Sequence, residues 1–159
     1  PPGWAPAPAT AEFPPLSPVN RDAMAAFLYR FRGSEPFTPP AVSPFRDVAT
    51  TNQFYLHVTW LASTGITTGY PDQTFRPVTT VSREAMAAFL YRFAGSPSFT
   101  PPQTSPFSDV PTTHQFYLHI TWLASTGITT GYPDGTFRPG NSVNRDAMAA
   151  FLYRYAALD

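Results

Sequence analysis

The chain has 159 residues at 17.5 kDa, with ten basic and ten acidic residues that cancel, enough for one core of ordinary size. Every basic residue is arginine and cysteine is absent, which excludes disulfide frameworks, thiolate metal sites and cysteine nucleophiles. The balance also argues against a nucleic-acid module driven by a basic face and against a polybasic membrane anchor. Twenty prolines argue against long unbroken helices, while an aromatic share of 16% keeps the chain out of the disordered class. No apolar run approaches the ~18 residues of a membrane span, and no charged-then-apolar signal segment opens the sequence.

Seven of the first eighteen residues are proline. This tract favours extended polyproline II and reads as a lead-in or surface strap. It is followed by Val19 to Arg30, which recurs as Val81 to Arg92 and Val143 to Arg154 at an offset of 62. The longer segment Gly33 to Arg92 matches Gly95 to Arg154 at 46 of 60 positions. Two and a half units are therefore expected: residues 1–34 with a lead-in and partial unit, 35–96, and 97–159, all within one domain.

Within a full unit the elements follow in the same order. After Ser105-Pro106-Phe107, Thr112 and Thr113 are placed to cap a helix. Phe116, Ile120, Leu123 and Ala124 then share one helical face. Gly127 supplies a left-handed stop, followed by the apolar Ile128. The segment Gly131 to Pro139 is dense in turn formers and predicts a shaped loop. Asn144 is expected to cap a second helix, with Asp146 in its first turn and Met148, Phe151, Leu152 and Tyr155 on one face. A proline-rich connector such as Phe99 to Pro102 links units. A helical pair this small cannot bury both apolar faces, so units must pack on each other, and so few units favour closure about a pseudo-axis with the second helices central. The fold class expected is mainly α.

The stretch Trp-Leu-Ala-x-x-Gly-Ile-Thr-x-Gly-Tyr-Pro-Asp-Gly-Thr-Phe-x-Pro, preceded by Phe-x-Asp-Val and followed by Val-x-Arg-Asp/Glu-Ala, resembles the S-layer homology domain. The likeness covers residues 13–33 in part and 35–155 almost throughout. At Val19–Ala23, Val81–Ala85 and Val143–Ala147 the family's Thr-Arg-Ala-Glu signature is met in register, with the acid ahead of the alanine. The resemblance implies a pseudo-threefold bundle of helix-loop-helix repeats with projecting loops. It also implies non-catalytic anchoring, outside the cell, to secondary cell-wall polysaccharide through its pyruvylated N-acetylmannosamine, bound in grooves between repeats.

A pyruvyl ketal puts a carboxylate on a sugar ring, so recognition needs fixed donors and a flat apolar surface. Arg21, Arg83 and Arg145 stand in the first turns of their helices, where a guanidinium fork and free backbone N–H groups can meet one carboxylate. The plainer reading pairs each arginine with an acid, Asp47 or Asp109 among them. Trp60 and Trp122 serve either as sugar platforms or as core, and Tyr70 and Tyr132 head the loops. Asp72 and Asp134 either accept sugar hydroxyls or cap their own turn. Gly69 and Gly131 either admit a ligand or relieve backbone strain.

His57 and His119 occupy equivalent positions, yet no carboxylate lies at ligand spacing on that helix, so a surface or packing role is preferred over metal binding. The Asp134 loop lacks the acid ladder of a calcium site. No nucleophile motif or phosphate loop stands out, and neither catalysis nor a cofactor is expected. Ala7, Pro8 and Ala9 replace Gly-Tyr-Pro in the first unit, which denies that unit its loop. The apolar edge so uncovered is expected to be covered by the proline tract with Trp4, or by another chain. The second reading is accordingly a self-assembly or protein-interaction module of a bacterial envelope layer, using that edge.

Overall fold

Three valines, each 62 residues from the next, close a ring of backbone hydrogen bonds in the computed structural model, which describes residues 16–158. The Val19 N–H donates to Val143 O at 2.9 Å, Val81 N–H to Val19 O at 2.8 Å, and Val143 N–H to Val81 O at 2.8 Å. All three side chains are buried. Each valine immediately precedes the N-cap residue of a helix: α1 (Arg21–Phe31), α3 (Arg83–Phe93) and α5 (Arg145–Ala156). At the far ends of these helices Phe31, Phe93 and Tyr155 touch one another, with ring centroids 5.8, 5.9 and 5.3 Å apart. The second helices of the units thus run along the pseudo-threefold axis, from the valine ring to the aromatic cluster. Met24, Leu28, Met86, Leu90 and Met148 fill the space between them.

The first helices, α2 (Tyr55–Ser63) and α4 (Tyr117–Thr126), pack outside this centre. Helix pairing runs between units: α1 lies against α2, and α3 against α4. Tyr29 on α1 takes Trp60 of α2 edge-on at 5.3 Å, and Tyr91 on α3 takes Trp122 of α4 at 5.4 Å. Among the described residues α5 pairs with no such helix, and of its residues only Met148 and Phe151 are buried. The described residues form five helices and no strand, a mainly helical bundle. None of these helices is long and apolar enough to cross a membrane.

Two expectations about helix starts are corrected. Thr112 and Thr113 do not cap α4, whose N-cap is Phe116. The residue two positions before the N-cap does the work instead: His114 Nδ1 accepts the Phe116 N–H at 3.0 Å, and Asn52 Oδ1 accepts the Phe54 N–H at 2.8 Å. Asn144 stands at the N-cap of α5 but makes no side-chain cap. There, Arg145 N–H donates to Ser17 O at 3.0 Å, and Asp146 Oδ1 takes the Ala147 N–H. Gly127 does end α4 in the left-handed region, at φ 80°. Trp4, the proline tract to Pro15 and the Ala7-Pro8-Ala9 stretch lie outside the described residues, and with them the expected cover of the first unit's edge.

His57 and His119 are packing residues on α2 and α4, edge-on to Tyr29 at 5.3 Å and Tyr91 at 5.2 Å. Their Nδ1 atoms are buried with no hydrogen-bond partner. Burial, aided by Arg30 and Arg92 respectively, pushes both imidazoles below the usual histidine value. The unfolded chain therefore binds protons first as pH falls. The stability held by the neutral rings is complete above about 6.5, the unfolded value, and is lost as pH falls below it toward the folded values. The urea midpoint is expected to drop between about pH 7.5 and pH 5, and the double replacement His57→Phe with His119→Phe to flatten that drop.

Candidate functional site

The loop Gly69–Pro77 is held from two sides. Asp47 accepts the backbone N–H groups of Phe75 and Arg76, both at 2.8 Å, and Asp109 accepts those of Phe137 and Arg138 at 2.8 and 2.7 Å. These aspartates are therefore occupied by backbone. Asp72 and Asp134 cap their own turns: Asp72 Oδ1 accepts the Thr74 N–H and hydroxyl at 3.1 and 2.6 Å, Asp134 those of Thr136 at 3.0 and 2.6 Å. The threonine hydroxyls, with the backbone amides and Arg76 or Arg138 adding to them, hold both carboxyls below the usual value. Their outer oxygens pair with Arg76 at 3.5 Å and Arg138 at 3.3 Å.

Gly69 and Gly131 are required by the protein's own packing. At φ 68° and 69°, a Cβ would lie 2.5 Å from the Phe45 or Phe107 ring and 2.8 Å from the carbonyl of Thr74 or Thr136. Gly131→Ala is expected to lower unfolding free energy by about 2 kcal/mol or more, since left-handed strain adds to the clash. Gly135→Gln at φ 81° meets open space and copies Gln73, which stands there at φ 63° in the preceding unit. It should cost about 1 kcal/mol or less, and urea denaturation of the two variants checks the contrast.

Against this loop lies the arginine of the preceding unit. Arg21 Nε donates to Phe75 O and Arg83 Nε to Phe137 O, both at 2.7 Å. The Arg21 guanidinium sits 4.9 Å from the Tyr70 centroid, 4.7 Å from Phe75 and 5.2 Å from Phe89. Arg83 repeats the arrangement over Tyr132, Phe137 and Phe151 at 4.9, 4.6 and 5.4 Å. Both arginines are 6% exposed, and neither forms an ion pair among the described residues. Burial pushes both below the ordinary arginine value; Arg76 or Arg138 acts in the same direction, while Tyr70 with Asp47, or Tyr132 with Asp109, acts against it.

The backbone amides at the helix starts are taken, which corrects the expectation that they stand open to a ligand. Arg21 and Asp22 N–H donate to Thr79 O and Pro77 O at 2.9 Å, and Arg83 and Glu84 N–H to Asn141 O and Pro139 O at 2.8 and 3.0 Å. Closing the threefold ring brings each helix start under the loop of the next unit, and that loop's carbonyls satisfy it. These amides are therefore closed to a ligand.

Beside Arg21 opens a cavity of about 170 Å³ with walls from three units. Thr67, Thr68, Gly69 and Tyr70 form one side, Ala85, Ala88 and Phe89 of α3 the floor, and Phe116 at the start of α4 the third wall. Arg92 brings a second guanidinium, with Nη1 donating to Ile66 O at 3.4 Å, and Arg154 donates likewise to Ile128 O at 3.2 Å. Arg83 and Arg92 lie nine residues apart on one helix, two and a half turns. One helix thus carries arginines on opposite sides, Arg83 against the loop of the next unit and Arg92 in the Arg21 cavity. Arg92, Phe89 and Phe116 were not among the sequence candidates, and the signal for them was recurrence: Arg92, Phe89 and Phe116 have counterparts in Arg154, Phe151 and Phe54.

The remaining candidates divide. Arg145 stands 6.0 Å from the Phe27 ring, beside a cavity of about 110 Å³ lined by Phe27, Met148, Ala149 and Leu152. Its loop counterpart falls in the stretch that is not described. Trp60 and Trp122 are core, at 1% and 5% exposure, and Trp60 Nε1 donates to Glu35 Oε1 at 2.8 Å. The interunit packing of α1 on α2 and α3 on α4 covers both indoles, so neither has a face for a sugar. Tyr70 and Tyr132 are part-exposed, with Arg76 and Arg138 stacked on their rings at 3.7 Å.

The S-layer homology domain model matches residues 44–87 and 106–149. The chain is 30% identical over 151 residues to Cell surface glycoprotein 1 of Acetivibrio thermocellus, covering 89% of this chain and 6% of that protein. It is 25% identical over 150 residues to the Cellulosome-anchoring protein of the same organism, covering 89% of this chain and 33% of the relative. Over 48 residues, 30% of this chain and 5% of the relative, it is 44% identical to the Outer membrane protein SlpA of Thermus thermophilus. The chain therefore spans a third or less of the length of each of these relatives. With two family matches that coincide with its two full repeats, the chain belongs to the S-layer homology domain family.

Proposed function

We propose that the chain, taken as units 1–34, 35–96 and 97–159, is a non-catalytic module that anchors a protein at the bacterial cell surface. It does so by binding an anionic, pyruvylated secondary cell-wall polysaccharide in the grooves at Arg21 and Arg83. One observation carries this reading: two buried arginines lacking an ion-pair partner among the described residues, each fixed against aromatic rings beside a loop. A buried guanidinium that forms no ion pair among the described residues is costly unless something else pairs with it, and a ligand carboxylate meets its forked donors. The sugar ring that carries the carboxylate packs on Phe116, Phe89 and the small alanines. The family and the names of its surface-anchoring relatives support the same reading.

Cosedimentation with purified cell walls tests it. The chain is expected to pellet with intact walls and to remain in solution once their non-peptidoglycan polysaccharide has been extracted. Equal pelleting in both cases sinks the proposal. Self-association is a second reading, favoured by Tyr153 and Leu158, exposed by 80% and 44% on and just after α5. Light scattering that rises with concentration beyond a monomer would support it.

A further inference from the structure

The third wall of the Arg21 groove is held by a contact that the sequence does not repeat. Phe116 reaches the cavity from the start of α4, and its N–H donates to His114 Nδ1 at 3.0 Å. The other nitrogen of the same imidazole, Nε2, lies 3.3 Å from Glu84 Oε2 on α3. With Nδ1 accepting, the ring proton sits on Nε2, the nitrogen nearest the carboxylate. One side chain thereby ties the turn carrying Phe116 to the helix carrying the groove floor, Ala85 and Phe89.

Sixty-two residues earlier both members of this pair are shorter. Asn52 replaces His114 and still accepts the Phe54 N–H at 2.8 Å, while Asp22 replaces Glu84. The arginine–aspartate ion pairs of the described residues, Arg76 with Asp72 and Arg138 with Asp134, stay inside their own loops. Of the three acid–base side-chain pairs among the described residues, only His114–Glu84 thus joins two units. It spans the junction where a cavity opens, and both its residues differ from the repeat together.

We infer that the His114–Glu84 pair is a positioning device that sets Phe116 as the sugar-facing wall of the Arg21 groove. The groove then selects for the ring that carries the carboxylate as well as for the carboxylate. This rests on the glycan reading of the groove. Aromatic faces hold apolar ring surfaces only at close contact, so loosening the tie weakens ring recognition and leaves the charge contact to Arg21 in place.

The test uses the chain carrying Arg83→Ala, so that one groove reports, with two probes followed by NMR titration. The probes are the methyl glycoside of 4,6-pyruvylated N-acetylmannosamine and free pyruvate. His114→Asn, which installs the residue already present at position 52, and Glu84→Ala are each expected to weaken the glycoside roughly five- to tenfold. Both should leave pyruvate within about twofold, and their combination should lose no more than either alone. Phe116→Leu should reproduce the loss and provides the same readout where Glu84→Ala folds poorly. Unchanged glycoside affinity, a parallel loss for both probes, or additive losses would overturn the inference while leaving the groove reading intact. Glycoside binding that survives Arg21→Ala would overturn both.

Discussion

Calorimetric binding of pyruvylated wall glycan is expected to disappear when Arg21→Ala and Arg83→Ala are combined. Each guanidinium is oriented by an Nε bond to a loop carbonyl, which leaves its terminal nitrogens to meet a carboxylate as a fork. Removing one partner of a desolvated, hydrogen-bonded charge pair costs about 2–5 kcal/mol, or roughly 30-fold and more in affinity at that site. Either single change should leave binding at the other groove. Alanine also strands the Phe75 or Phe137 carbonyl, a structural penalty of about 1–3 kcal/mol. Lysine separates the two effects, because it keeps charge and much of the volume but loses the planar fork. Arg21→Lys is therefore expected to fold with near-native stability and still to bind less tightly by about tenfold or more at its groove.

Trp60→Ala should cause the largest loss of stability of any single change considered, about 3–5 kcal/mol. The indole is 1% exposed, packs edge-on to Tyr29 and donates to Glu35. Its removal opens a cavity at the α1–α2 interface, where two units join. Set against the roughly 5–15 kcal/mol of a typical domain, that loss consumes a large fraction of the total. Trp60→Phe keeps most of the apolar volume and should fold, with glycan affinity within about twofold of the native chain. Urea denaturation and calorimetry on the same preparations check both halves. A stable Trp60→Phe with sharply weakened binding would return the indole to the site.

The offset of 62 made most of the architecture legible before any coordinates. It places the three valines, the three helix starts and the aromatic ends in equivalent environments, and equivalent environments close a ring. Helical faces were equally readable, since Ile120, Leu123, Met148 and Phe151 share spacing and burial. What was hidden depends on which unit packs on which. Periodicity places Trp60 on a helix but does not show that α1 covers it. Arg92 reads as one more solvated arginine until the two and a half turns from Arg83, which put it on the opposite side of α3, are set beside the loop of its own unit. The caps failed for the same reason. Thr112, Thr113 and Asn144 were judged by local propensity, whereas the amides they were expected to satisfy found His114 or the carbonyls of a neighbouring unit. The position of arginine at the helix starts is legible in the sequence, whereas the engagement of Asp47 and Asp109 by backbone amides, which leaves them out of ion pairs with Arg21 and Arg83, depends on how the units pack.

The most direct measurement titrates the native chain with one wall polysaccharide in two forms, as isolated and after its pyruvyl ketals have been removed by mild acid. Tight binding to the first, at least about 30-fold weaker binding to the second, and loss of the difference in the Arg21→Ala, Arg83→Ala chain are the results expected. Equal affinity for the two forms would contradict the assignment of the buried arginines to a ligand carboxylate.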